Sequence, residues 1–129
     1  MIEYVTNPFP DAGALDDFWG RAWGGPLPDN YGQVLKRSLA HVGAMDGDRL
    51  IGFVNIAWDG GVHAFILDTA VDAAYRRRGI ASELVRCAAE LARDRGATWL
   101  HVDFEPHLEG FYRACGFGPT AAGLMRLSP

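Results

Sequence analysis

A chain of 129 residues and 14.1 kDa suits one compact domain, residues 1–129, and leaves no room for a second independent one. Its 49% hydrophobic and 12% aromatic content can close a core, which excludes a disordered chain. Twelve basic residues against sixteen acidic ones give a net charge of −4, a field that repels a polyphosphate backbone and excludes general nucleic-acid binding.

Met1 to Asp11 holds Glu3, Pro8 and Pro10 and lacks a basic segment followed by an apolar one, so no secretory signal is expected. No apolar run approaches the ~18 residues of a membrane helix. A cytoplasmic protein that does not engage membranes is expected. Cys87 and Cys115 have neither CxxC nor metal-ligand spacing, so the expectation is two reduced thiols and no metal site.

Leu15, Phe18, Trp19 and Trp23 share one helical stripe, which predicts a helix from Asp11 to Trp23, closed by Gly24-Gly25-Pro26. Asp29 or Asn30 can cap a second helix through Leu39. Strands follow at His41 to Met45 and Leu50 to Trp58, joined by Asp46-Gly47-Asp48, and a third runs from about Val62 to Val71 after Asp59-Gly60-Gly61. These three form an antiparallel meander. Ile80, Leu84, Ala88 and Leu91 mark a helix from Gly79 to Arg95 that stops at Gly96. A strand from Ala97 to Phe104, a short helix from His107 to Ala114 and a last strand from Ala121 to Leu127 complete the order. Strand, helix, strand implies a right-handed parallel crossover.

The chemistry gathers where a strand meets the long helix, at Val71-Asp72-Ala73-Ala74-Tyr75-Arg76-Arg77-Arg78-Gly79-Ile80-Ala81-Ser82. Unpaired amides and the positive end of the helix dipole prepare this turn for an anion, and Gly79, Ala81 and Ser82 keep the approach open. A Walker loop is excluded, because its first glycine and its lysine are missing. A dinucleotide-binding turn needs three glycines where this one has Gly79, although Asp103 stands at a distance suited to a ribose. The remaining alternative is a solvated arginine cluster beside an ordinary helix start. A second constellation, Phe111-Tyr112-Arg113-Ala114-Cys115-Gly116-Phe117, sets a tyrosine on the short helix after the second parallel strand. Alone, that tyrosine has an alternative reading as an aromatic at the edge of the core.

Together the two constellations resemble the GCN5-related N-acetyltransferase (GNAT) family. The family pattern Arg/Gln-x-x-Gly-x-Gly/Ala is met by Arg76, Gly79 and Ala81, and Phe-Tyr-x-x-x-Gly-Phe by Phe111, Tyr112, Gly116 and Phe117. The resemblance implies an α/β fold with a mixed central sheet flanked by helices, whose parallel strands 4 and 5 splay apart at a bulge in strand 4. Acetyl-CoA would lie in the opening, its pantetheine on the backbone of Thr69, Ala70 and Val71 and its pyrophosphate on the turn of Arg76, Arg77, Arg78, Gly79, Ile80, Ala81 and Ser82. The activity implied is acetyl transfer to a primary amine of a small molecule or a protein.

In that reading Tyr112 resembles the family's general acid, since a phenol of pKa about 10 keeps its proton at neutral pH. A backbone N–H near Ala70 or Val71 would meet the oxyanion. Glu105 stands where many members have asparagine, and as a base it would take the ammonium proton directly or through water. Asp68, Asp103, His101 and His107 are rival bases, and His41 and His63 read as structural. Phe18, Trp19, Trp23, Tyr31 and Trp58 form a candidate aromatic wall for the acceptor, with ordinary core packing as the alternative. Cys115 lacks a base partner, which argues against an acyl-cysteine. The rival from another class is a non-catalytic acyl-CoA-binding sensor. A homodimer through Ala121 to Leu127 is one expectation, and an ordinary sheet edge there is the other.

Overall fold

The computed structural model describes Met1–Pro129. Five strands form one sheet in the order β1-β2-β3-β4-β5: β1 (Ile2–Thr6), β2 (Ala40–Asp46), β3 (Arg49–Trp58), β4 (His63–Val71) and β5 (Trp99–His101). The first three pairings are antiparallel, and β4 with β5 is parallel. Helices α1 (Ala12–Trp23) and α2 (Tyr31–Arg37) cover one face, and α3 (Ile80–Asp94) the other. A short helix α4 (Glu109–Ala114) follows β5. No helix is long and apolar enough to cross a membrane.

Helix α1 starts where Asp11 accepts the Ala14 amide and stops at Gly24 in the left-handed conformation, the two ends its sequence predicts. Its stripe of Leu15, Phe18 and Trp19 packs with Tyr31 and Leu35 of α2 onto Leu50, Phe53 and Ala70. Beneath the opposite face, Ile80, Leu84, Val85, Ala88 and Ala92 of α3 meet Val42, Ile51, Val54, Ile56, Ala64 and Ile66. Strand β3 is therefore buried on both faces, which is why Leu50 to Ile56 reads as a nearly continuous apolar run. At Gly52 a Cβ would stand 3.0 Å from the Ala44 Cβ and 3.1 Å from Ile80 Cγ2, so glycine is what lets α3 lie this close.

Three expectations need correction. Ile2–Thr6 is an edge strand against β2, hidden in the sequence because five residues with half-buried sides give little periodicity. Strand β5 is three residues long rather than eight, since pairing with β4 ends at Phe65 and His101. Ala121 to Leu127 is not a strand. The residues are exposed and have no ladder partner, because the sheet ends at β5 and no edge within the chain receives them.

Candidate active site

Two departures from regular pairing create the site. Phe53 pairs with Ala70 and Asn55 with Leu67, so Val54 alone faces both Asp68 and Thr69, a β-bulge in β4. Asp68 carries the distortion with a φ of 57°, a left-handed conformation that aspartate tolerates better than most residues. Meanwhile β5 leaves β4 after Phe65, so the β5-facing edge of β4 from Ile66 to Val71 has no strand partner. The sheet is open there, as the resemblance implied.

A cavity of about 530 Å³ fills the opening. It is lined by Thr69, Ala70 and Val71 from β4, by Arg76, Arg77, Gly79, Ile80, Ala81 and Ser82 from the turn and the first residues of α3, and by Tyr112. The structure thus brings together ten of the twelve residues singled out from the sequence. Arg78 lies outside the lining, its guanidinium 5.0 Å over the ring of Tyr75. Glu105 also lies outside, exposed ahead of the turn at Pro106–Leu108.

The turn is held from below. Asp72 is 3% exposed and accepts the Ala74 amide at 2.9 Å and Arg21 Nε at 2.8 Å, with Arg49 at 3.7 Å. Burial would raise its carboxyl, but these donors outweigh burial and hold it below the usual carboxylate range. Tyr75 donates its hydroxyl to Asp46 at 2.5 Å. Arg76 reaches across to the Ala22 carbonyl at 3.0 Å and back to Val71 at 3.3 Å. Arg77 and Gly79 both have positive φ, which turns the chain into α3. The first α3 amide to return to the turn is Glu83 N, on Gly79 O, so the amides of Ile80, Ala81 and Ser82 precede any intrahelical acceptor.

Tyr112 is aimed by its neighbours. Its ring stacks on Phe104 at 4.8 Å and meets Phe111 and Phe117 edge-on at 4.9 and 5.8 Å. Gly116 has a φ of 105°, and the Phe117 amide returns to the Tyr112 carbonyl, which folds Phe117 onto the ring. Burial pushes the phenol above its ordinary value, partly offset by the Thr69 hydroxyl beside it. Thr69 Oγ1 is buried and lacks a partner in hydrogen-bonding geometry. An unsatisfied hydroxyl and open strand amides along a mostly apolar cavity suit a long amide-bearing ligand with an anionic end, and acetyl-CoA has that chemistry.

The aromatic wall expected for the acceptor is not assembled. Phe18, Trp19 and Tyr31 are core residues, and Trp58 packs toward α3. Trp23 is exposed and lines the cavity instead, with Ala22, Tyr75, Leu108 and Phe111. Sequence reasoning missed these last four as lining: Ala22 and Leu108 carry no pattern, and the stretches that hold Tyr75 and Phe111 point to their neighbours instead. Of the rival bases, Asp68 sits on the bulge and accepts the Tyr31 hydroxyl at 2.8 Å, while His101 contacts His63 at 2.9 Å. His41 is fully buried and accepts the Phe9 amide.

A sheet parted at a bulge, with an amide-lined helix start on one side of the gap and an aimed phenol on the other, defines an α/β acyltransferase architecture. The chain belongs to the Acetyltransferase (GNAT) family, whose model matches residues 7–117. Among solved structures it is similar to a GNAT-family acetyltransferase of Streptococcus pneumoniae, at 25% identity and a TM-score of 0.85, covering 99% of this chain and 98% of the other. An aminoglycoside N-acetyltransferase in complex with CoA shares the fold at 19% identity and a TM-score of 0.79, covering 99% and 95%. A glucosamine 6-phosphate N-acetyltransferase 1 of Oryza sativa subsp. japonica is 46% identical over 50 residues, 39% of this chain and 30% of that protein. The chain thus spans less than a third of the length of this relative.

Proposed function

We propose that this protein is an N-acetyltransferase that moves an acetyl group from acetyl-CoA directly to a primary amine. The observation that carries the reading is Tyr112, buried to 7% exposure, oriented by three aromatic rings and sharing one cavity with the amide-lined turn. Acetyl-CoA supplies the activated acyl group as a thioester. The backbone of Thr69, Ala70 and Val71 would align the pantetheine, and the amides of Ile80, Ala81 and Ser82, with Arg76, Arg77 and Arg78 at the rim, would hold the pyrophosphate. An N–H of Ala70 or Val71 donates to the carbonyl oxygen as it gains charge. Tyr112 keeps its hydroxyl proton at neutral pH and gives it to the departing sulfur. Glu105 takes the ammonium proton through water, since it does not line the cavity.

Direct transfer is supported by Cys115, whose thiol is pushed up by burial, partly offset by the Ser82 hydroxyl, and does not line the cavity. A homodimer and a cytoplasmic location belong to the same proposal. The dimer is supported by Leu124, Met125 and Leu127, which are at least four-fifths exposed, and the location by two cysteines without disulfide-framework spacing. The rival is a non-catalytic acyl-CoA-binding module, favoured by the lack of any carboxylate or imidazole in the cavity lining.

The test is Tyr112→Phe assayed by thiol release with an accepted amine. Turnover should fall by about 10² or more while acetyl-CoA affinity stays within a few-fold. Unchanged turnover removes Tyr112 from the mechanism, and no calorimetric binding of acetyl-CoA by the native protein removes the whole reading.

A further inference from the structure

Beside the cavity, on the face of β4 turned away from α3, lies a second surface that acetyl-CoA does not need. Ala64 and Ile66 point into the α3 core, so strand alternation sends Phe65 and Leu67 to the other face, where they are 38% and 39% exposed. The Phe65 ring lies nearly parallel on His101 at 4.6 Å, and His101 Nε2 in turn touches His63 Nδ1. This flat apolar shelf runs up to the bulge. There Asp68 presents a carboxylate that accepts the Tyr31 hydroxyl at 2.8 Å. Tyr31 is clamped by Trp19 at 5.0 Å and Phe53 at 6.1 Å. Burial and the adjacent carboxylate push its phenol far up, so it remains a donor and leaves Asp68 with free lone pairs.

We propose, on the footing of the acetyltransferase reading, that Asp68 seats the ammonium of the acceptor and that the Phe65–Leu67 shelf receives a flat apolar body attached to it, which makes the acceptor an arylalkyl primary amine rather than a phosphosugar. Position supports this: Asp68 adjoins Thr69 in the bulge, and Thr69 lines the cavity with Tyr112, so Asp68 is the chain neighbour of a residue in the cavity wall. Charge supports it too. The shelf residues His63, Phe65, Leu67, Trp99 and His101 include no lysine or arginine, and the arginine cluster of the turn belongs to the cofactor side. A phosphorylated acceptor would meet a carboxylate there, and none of these five residues would offset it with a fixed positive charge. An ammonium meets its complement.

The experiment compares 2-phenylethylamine, ethylamine and glucosamine 6-phosphate as acceptors at saturating acetyl-CoA, with thiol release as the readout. The expected order in kcat/KM places 2-phenylethylamine about tenfold or more above ethylamine, as burial of a phenyl group implies. Asp68→Asn tolerates the same positive φ, so the bulge survives, and it should raise KM for 2-phenylethylamine about tenfold, the loss expected for a charge-assisted contact. Its acetyl-CoA affinity should stay within about twofold of native. Leu67→Ser should narrow the preference for 2-phenylethylamine over ethylamine. Preference for glucosamine 6-phosphate, or an unchanged KM in Asp68→Asn while amines still turn over, overturns this assignment alone. A dimer in sedimentation that Leu67→Asp dissociates without altering KM also overturns it, giving the shelf to a second copy. Failure of every amine to release thiol from bound acetyl-CoA overturns the transferase reading with it.

Discussion

Arg21 Nε donates to Asp72 Oδ2 at 2.8 Å, and the same guanidinium donates to the Leu50 carbonyl, so one side chain of α1 pins both the start of β3 and the first residue after β4. Asp72 is where the strand hands over to the anion-binding turn. Because its second oxygen caps Ala74, losing the carboxylate loosens helix α1 and the turn together.

Asp72→Asn should lower stability by about 1–3 kcal/mol, the range for hydrogen bonds to a buried charge. The folded carboxyl is held below its unfolded value, so its contribution is complete above pH about 4 and is lost as pH falls through the folded value. Urea unfolding at pH 7 and pH 3 checks this. A variant equally stable to the native protein at pH 7 refutes it.

His41 gives a pH response of the same sign in a higher window. It is fully buried, and its Nε2 accepts the Phe9 amide, so the neutral ring carries its proton on Nδ1, which has no partner. Burial lowers its pKa to about 4. The unfolded chain binds this proton from about pH 6.5 downward and the folded chain does not, so stability declines on acidification across that window. The slope approaches about 1.4 kcal/mol per pH unit between pH 6 and 5. His41→Asn should flatten that slope, measured by denaturant titration, and a native slope already flat there refutes the account.

Thr69→Val removes a buried hydroxyl that has no partner, at nearly constant volume. The protein alone should be as stable as before or up to about 1 kcal/mol more so, since an unsatisfied polar group disappears. Acetyl-CoA affinity should weaken about threefold or more if that hydroxyl is kept for the ligand. Differential scanning calorimetry and binding calorimetry check the two halves, and a destabilised variant with native affinity contradicts both.

Gly52→Ala drives a methyl to within 3.2 Å of Ala44, Ile80 and Leu84 side chains. Overpacking of this kind costs about 1–3 kcal/mol. Since Ile80 begins α3, the same push should weaken acetyl-CoA binding, which separates it from an ordinary core defect. A thermal melt unchanged from native excludes the close approach.

The turn of Arg76 to Ser82 and the tyrosine at 112 were legible because each is a local pattern whose chemistry is written in neighbouring residues. Helix α1 was legible for the same reason, from Asp11 to Gly24. Trp23 and Trp19 show the limit: four residues apart on one stripe, one lines the cavity and the other is core, and only the neighbours brought by β3 and α2 separate them. Glu105 matched a position in a pattern, yet its side chain lies outside the cavity.

Residue order alone determined that a helix start rich in arginine follows a strand, that a phenol follows the next strand, and that apolar stripes exist to bury both. Tertiary structure alone decided that β5 parts from β4 after three pairs, that Asp68 turns left-handed at the bulge, and that Tyr31 finds it from 37 positions away. The reason is physical. Periodicity and capping act over a few residues, whereas strand register and the meeting of distant side chains are set by the packing of both sheet faces at once.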